Sequence, residues 1–265
     1  MAGARLKGGR IAVPDASATN MASRFSRYRP EEEKAVREIE VVEDKTLKKM
    51  KDAWKACNVT DEAPDDYSKI LKKVKKLEYS AKDIENVSLA LVEFQSEENF
   101  QWKAGAFLSA LMNNSKDTEF VIHTAHLAEP IDYLGYKNTK SITVIGNIGR
   151  DVGGLMKDGD IMVDGNAGEA VGVSMKGGTI TVNGNAYGYI GQEMDGGTIM
   201  VNGDAEEAVG VDMKGGSITV NGKVGEGVGI GMEGGEIRIE GEIGSIADDI
   251  KHGKIYHKGK LILEK

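Results

Sequence analysis

One interval governs this chain. Ile142, Ile161, Ile180, Ile199, Ile218 and Ile237 stand 19 residues apart, and Ile255 follows after 18. Val144, Val163, Val182, Val201, Val220 and Ile239 keep the same step. So do Gly146 through Gly241, Gly153 through Gly229, and Met156, Met175, Met194, Met213 and Met232. A fixed period near 20 belongs to stacked arrays, in which each unit buries its apolar face only against its neighbours. The Ile-x-Val core alternates with the two-residue rhythm of a strand, and the surrounding glycines and β-branched residues are poor helix formers. Each unit therefore reads as a short strand, a turn at Asn-Gly-Asn, a second extended piece at Val-Gly, and a return through Met-x-Gly-Gly. That is one coil of a parallel β-solenoid of about 6–7 coils, roughly 30 Å long at the usual strand spacing.

The recurrent glycines supply positive-φ corners that β-branched residues occupy only at a cost. Asn147, Asn166 and Asn185, continued by Asp204, form one column, and Asn183, Asn202 and Asn221 another; both are expected to be structural ladders with side chain bonded to side chain. The stretch from Phe120 to Val144 reads as an irregular starting coil, with Leu134-Gly135 in the Val-Gly place. Ile255 with Leu261 and Leu263 reads as the closing coil, its lysines guarding the last edge.

The unit Gly159–Gly177, GDIMVDGNAGEAVGVSMKG, resembles the GXGXG-motif β-helix domain found in two families. One is the C-terminal domain of the glutamate synthase large subunit, the other the β-helix subunit of formylmethanofuran dehydrogenase. The resemblance covers about residues 140–259 and implies a right-handed, single-stranded parallel β-helix that packs between catalytic parts and holds no cofactor or catalytic residue of its own. It implies no glutamate or formyl chemistry, because the amidotransferase cysteine, flavin barrel and iron–sulfur cysteines of those enzymes have no counterpart here.

Upstream the character changes, for 30 of the 35 glycines lie from Gly146 onward. The division expected is a basic, disordered tail over 1–30, a helical region over 31–116 and the solenoid over 117–265. Leu47, Met50, Trp54 and Cys57 share one helical face, as do Tyr67, Ile70, Leu71, Val74 and Leu77 behind Pro64. Ser80 caps a third helix through Ile84, Val87, Leu91 and Phe94, and a fourth carries Phe100, Phe107, Leu108 and Leu111. Sequence leaves open whether these make a separate bundle or lie on the solenoid. Met21 offers an alternative start to the chain.

Residues 1–30 carry six basic side chains against Asp15, whereas residues 117–265 hold 13 basic and 23 acidic. An acidic body disfavours nucleic acid, and the lysines of the second helix read as a solvated face. The lone Cys57 excludes an intrachain disulfide framework and suits a reducing interior. No apolar run reaches membrane-spanning length, so a cytoplasmic protein is expected.

Two constellations invite chemistry. His123 and His126, with Glu129, have metal-ligand residue types, although in the irregular first coil a buried or capping histidine pair is the favoured reading. Glu193 and Asp212, one coil apart and in the column of Ser174, are the candidate acid–base pair of a carbohydrate-active solenoid. The Gly225–Gly231 stretch keeps the register of the Val-Gly corner and precedes no helix, which removes a phosphate loop. No cofactor is expected. The sequence reading is a non-catalytic scaffold or accessory subunit that binds a protein partner or a second copy of itself. The alternatives are an accessory subunit of an oxidoreductase of the two resembled types, and a carbohydrate-active or ligand-binding solenoid.

Overall fold

The computed structural model describes residues 10–14, 36–40, 44–59 and 64–265. Two short strands, β1 (Arg10–Pro14) and β2 (Val36–Glu40), pair antiparallel, Ile11 opposite Ile39. This departs from the expected disordered tail at residues 10–14 and from an all-helical stretch at 36–40. The alternating Ile11 and Val13 are the local strand signal that the tail's composition masks. The rest of the tail lies outside the described residues.

Four helices follow as expected: α1 (Lys45–Lys55), α2 (Pro64–Val74), α3 (Ala81–Ala90) and α4 (Phe100–Asn114). Local chemistry sets their starts. Asp44 accepts from the Leu47 amide at 2.8 Å, and Ser80 and Asp83 form a reciprocal capping box. In α1 the expected face is buried, and Trp54 stacks on Phe94 at 5.3 Å and meets Phe107 edge-on at 5.4 Å. Helix α4 departs from the amphipathic expectation. It is buried almost all round, from Phe100 to Met112, because it lies between α2 and the first coil. Gly105 makes that approach possible, since a Cβ there would fall on the Asp132 carbonyl.

The solenoid is as its period requires. Eight strands run parallel in one sheet: β3 (Glu119–His123), β4 (Ser141–Ile145), β5 (Asp160–Asp164), β6 (Thr179–Val182), β8 (Thr198–Val201), β10 (Ser217–Val220), β11 (Glu236–Ile239) and β12 (Lys254–His257). Their ladders place Phe120, Ile142, Ile161, Ile180, Ile199, Ile218, Ile237 and Ile255 in one column without a register slip. A last strand, β13 (Lys260–Glu264), turns back antiparallel to β12 through an irregularity in register. A second, discontinuous ladder runs through Ile148, Ala167, Ala186, Ala205, Val224 and Ile243, with β7 (Ala186–Gly188) and β9 (Ala205–Glu207) as its two proper strands. The isoleucine, valine and methionine columns are buried and continuous with the helical core.

Each coil from Asp151 to Gly235 turns through four left-handed residues, and in two of these columns glycine stands only in the last of those coils, at Gly227 and Gly231. Asp151, Ala170, Tyr189 and Ala208 hold φ of 58°, 65°, 52° and 54°; Leu155, Ser174, Glu193 and Asp212 hold 54°, 51°, 54° and 50°. The first asparagine column bonds differently from the expected side-chain ladder. Each carboxamide oxygen of Asn147, Asn166 and Asn185 accepts the backbone N–H of the residue one coil on, at 2.8–2.9 Å. The second column does link side chains, Asn202 to Asn183 at 3.0 Å and Asn221 to Asn202 at 2.9 Å.

The helices are not a free-standing bundle: they close the solenoid's first coil. An open strand edge presents unpaired backbone groups. Here the Ser88 hydroxyl of α3 accepts the His123 amide at 3.1 Å, and Ser109 of α4 donates to the Tyr133 carbonyl at 3.1 Å while accepting the Gly135 amide at 2.9 Å. Asn113 donates to the Tyr136 carbonyl at 2.9 Å, and the Asp132 amide to the Gln101 carbonyl at 3.1 Å. Helix groups thus bond the end of β3 and the loop of the first coil where a further coil would otherwise continue the stack.

Candidate functional site

The candidate carboxylates come out at a corner. Glu193 and Asp212 are exposed and lie in the left-handed column that turns every coil. Ser174 donates to Glu193 at 3.2 Å, so the expected column exists. Positive φ at a bulky residue often marks a functional site. Here it recurs at the same place in coil after coil, which makes it architecture.

His123 and His126 are brought together, but inside the junction between α3 and the first coil, each about 4% exposed. His123 Nε2 meets Glu85 Oε1 at 3.2 Å, and its Nδ1 has no partner. Neither ring nitrogen of His126 makes a hydrogen bond of ordinary geometry, although the Ser88 and Leu89 carbonyls lie toward it. Burial, and then the neighbouring His123, push the His126 pKa down to about 4. The His123 contact first, then Lys82, hold Glu85 down at about 2 against the opposing effect of burial. Among the described residues no three His, Cys, Asp or Glu side chains converge as a metal would need, and Glu129 is exposed away from the pair. This is a buried histidine pair at a sealed interface. Glu85 and Ser88 carry no sequence signal, because their partner lies 35–38 residues away.

A cleft of about 420 Å³ opens between the start of α4 and the first coil, lined by Asn99, Gln101, Trp102, Glu129, Asp132 and Arg150 among others. Neither Glu193 nor Asp212 reaches it. Arg150 donates to Asp132 at 3.1 Å, which draws its charge onto that carboxylate. Trp102 is 3% exposed and packs edge-on against Tyr133, so no ring face is offered for stacking on a ligand. Cys57 is buried, and burial raises its thiol pKa, so it is not a poised nucleophile.

What remains is a surface. The outward positions of the long sheet form two columns. One runs Glu119, Ser141, Asp160, Thr179, Thr198, Ser217, Glu236, Lys254; the other runs Val121, Thr143, Met162, Thr181, Met200, Thr219, Arg238, Tyr256. Met162 is 45% and Met200 37% exposed, with threonines between them, and Val121 ends the row at 36%. Met is a recurrent residue of adaptable binding surfaces. At the far end Arg238 lies over the Tyr256 ring at 4.0 Å and pairs with Glu236 at 2.7 Å.

Comparison with protein-family models and with curated proteins matches this chain to none of them. No helix among the described residues is long and apolar enough to cross a membrane.

Proposed function

We propose that this chain is a non-catalytic β-solenoid scaffold that mediates protein–protein assembly through the outward face of its long sheet. The observation that carries the reading is the Met162–Thr181–Met200 row: two large apolar side chains held exposed on a regular sheet. Exposed apolar surface framed by polar residues marks contact sites. The helical region spends its apolar faces on closing the first coil, and of the other exposed apolar side chains Tyr187, Tyr189 and Ile230 lie at or beside the coil corners and Leu261 and Ile262 on the closing hairpin, outside the regular ladder of the long sheet. The similarity of unit Gly159–Gly177 to the GXGXG domains of glutamate synthase and formylmethanofuran dehydrogenase supports a finer version, an accessory subunit packed beside an oxidoreductase. The single buried Cys57 is in keeping with a reducing, cytoplasmic setting. A carbohydrate-active reading has no observation that favours it, with Glu193 and Asp212 exposed at a corner.

The test uses the full chain, wild type and Met162→Glu/Met200→Glu, as bait in native extract. The scaffold reading expects a stoichiometric partner retained by the wild type and lost by the variant, with the far-ultraviolet circular dichroism of the two unchanged. Equal retention by both, or retention by neither, would overturn it.

A further inference from the structure

The outward sheet face is complementary to itself. Number the parallel strands along the rod, with β3 first and β12 eighth, and rotate a second copy about a twofold axis parallel to the strands between β6 and β8. Each strand then faces its mirror rank: β3 faces β12, β4 faces β11, β5 faces β10 and β6 faces β8. The rotation keeps each outward column facing its own kind. Met162 of one copy meets Thr219 of the other, and Met200 meets Thr181, so a large side chain faces a small one throughout the middle of the face. At the ends Val121 meets Tyr256, and Glu119 meets Lys254. Glu119–Lys254 is the one complementary charge pair; Asp160 meets Ser217, Glu236 meets Ser141 and Arg238, already paired with Glu236 in its own copy, meets Thr143, and all eight strands overlap.

We infer that this face is a homodimer interface in which two copies pack sheet to sheet with antiparallel rod axes. The inference rests on the proposed role of the face in assembly and names the second copy as occupant. Closed twofold contacts are the commonest form of self-association, and they require a self-complementary patch. Alternating large and small residues across facing positions is how two sheets interdigitate at about 10 Å. Eight strands at about 4.8 Å, each about 13 Å long, give roughly 500 Å² per copy and about 1,000 Å² in all. That sits at the lower edge of specific interfaces, so the dimer is weak and reversible. Lys254 also contacts Glu264 at 3.2 Å within its own copy, which shares its charge and leaves the methionine–threonine core as the main contact.

Sedimentation equilibrium of the full chain over a wide concentration range is the first measurement. A monomer–dimer equilibrium is expected, weakened at least tenfold in Met162→Glu/Met200→Glu. Nitroxide labels at Thr181→Cys and, separately, at Val121→Cys then read the arrangement by electron–electron distance. The two 181 positions should lie about 11 Å apart and the two 121 positions about 35 Å, from rung spacing and sheet separation. Short distances at both positions mean parallel rods and overturn the inference. So does a dimer indifferent to the methionine changes, or a chain that stays monomeric throughout. If the chain is monomeric but the wild type still retains a different protein that the glutamate variant loses, the scaffold reading stands and only the second copy as occupant is refuted.

Discussion

Gly172 sits at the Val-Gly corner with φ of 71°, and an added Cβ would lie 2.5 Å from Cδ1 of Ile199, itself fully buried. Gly172→Ala therefore incurs two costs. An alanine in the left-handed region costs about 1–2 kcal/mol, and overpacking a closed core adds about 1–3 kcal/mol. The expected loss is about 2–5 kcal/mol. The two parts separate in a double-mutant cycle with Ile199→Val, which removes the offending Cδ1 and leaves Cγ1, 3.4 Å away, as the nearest atom of that side chain. Alone, Ile199→Val costs about 0.5–1.5 kcal/mol by deleting a buried methyl. Combined with Gly172→Ala it should recover the overpacking part, so the pair falls short of additivity by about 1–2 kcal/mol. Urea unfolding followed by circular dichroism reads the helices and the solenoid together. Tryptophan fluorescence measures the helical cap separately, since both tryptophans, Trp54 and Trp102, lie there. Strict additivity, or a loss below about 1 kcal/mol, would refute the account of this glycine column as both a φ position and a seat for the isoleucine stack.

Two further outcomes follow from how the first coil is closed. His126 has a folded-state pKa of about 4 against an ordinary 6.5, so between these values the unfolded chain binds the extra proton and stability rises with pH. Stability should fall by about 3 kcal/mol as pH drops from about 6.5 to 4, and His126→Leu should flatten that slope; denaturant titrations at stepped pH check it, and an unchanged slope in the variant would refute the assignment. The Glu85 contribution lies lower, lost only as pH falls from about 4.5 toward 2. Ser109→Ala takes the acceptor from the buried Gly135 amide and one donor from the part-buried Tyr133 carbonyl, and should cost about 1–3 kcal/mol seen first in tryptophan fluorescence; a loss under about 0.5 kcal/mol would mean that the hydroxyl does not seal the edge.

The solenoid is legible because its information is local and repeated. Ile161 predicts Ile180, and the strand rhythm, the glycine corners and the methionine column say the same thing in every coil. The helices are legible from capping chemistry at Ser80 and from the faces of α1 and α2. Three things are not. The all-round burial of α4 depends on what lies on either side of it, which amphipathicity alone does not encode. The left-handed corners at Ala170, Tyr189, Glu193 and Asp212 are hidden because nothing in an alanine, tyrosine or glutamate announces positive φ; only the glycines in the same columns, Gly227 and Gly231, hint at it. The sealing of the first coil by Ser88, Ser109 and Asn113 depends on contacts 23–35 residues apart in sequence between unlike elements, with no period to reveal them. The candidate chemistry divides similarly. The period alone puts Glu193 and Asp212 in one column, while their place at an exposed corner depends on the backbone.

The outward sheet face as the working surface is tested most directly by photo-crosslinking in native extract. A benzophenone amino acid is placed at position 181, between the two exposed methionines, or at position 212, on the corner. The account predicts one discrete adduct from position 181, whether with a second copy or with another protein, and none from position 212. Adducts from position 212 alone, or from neither position, would contradict it.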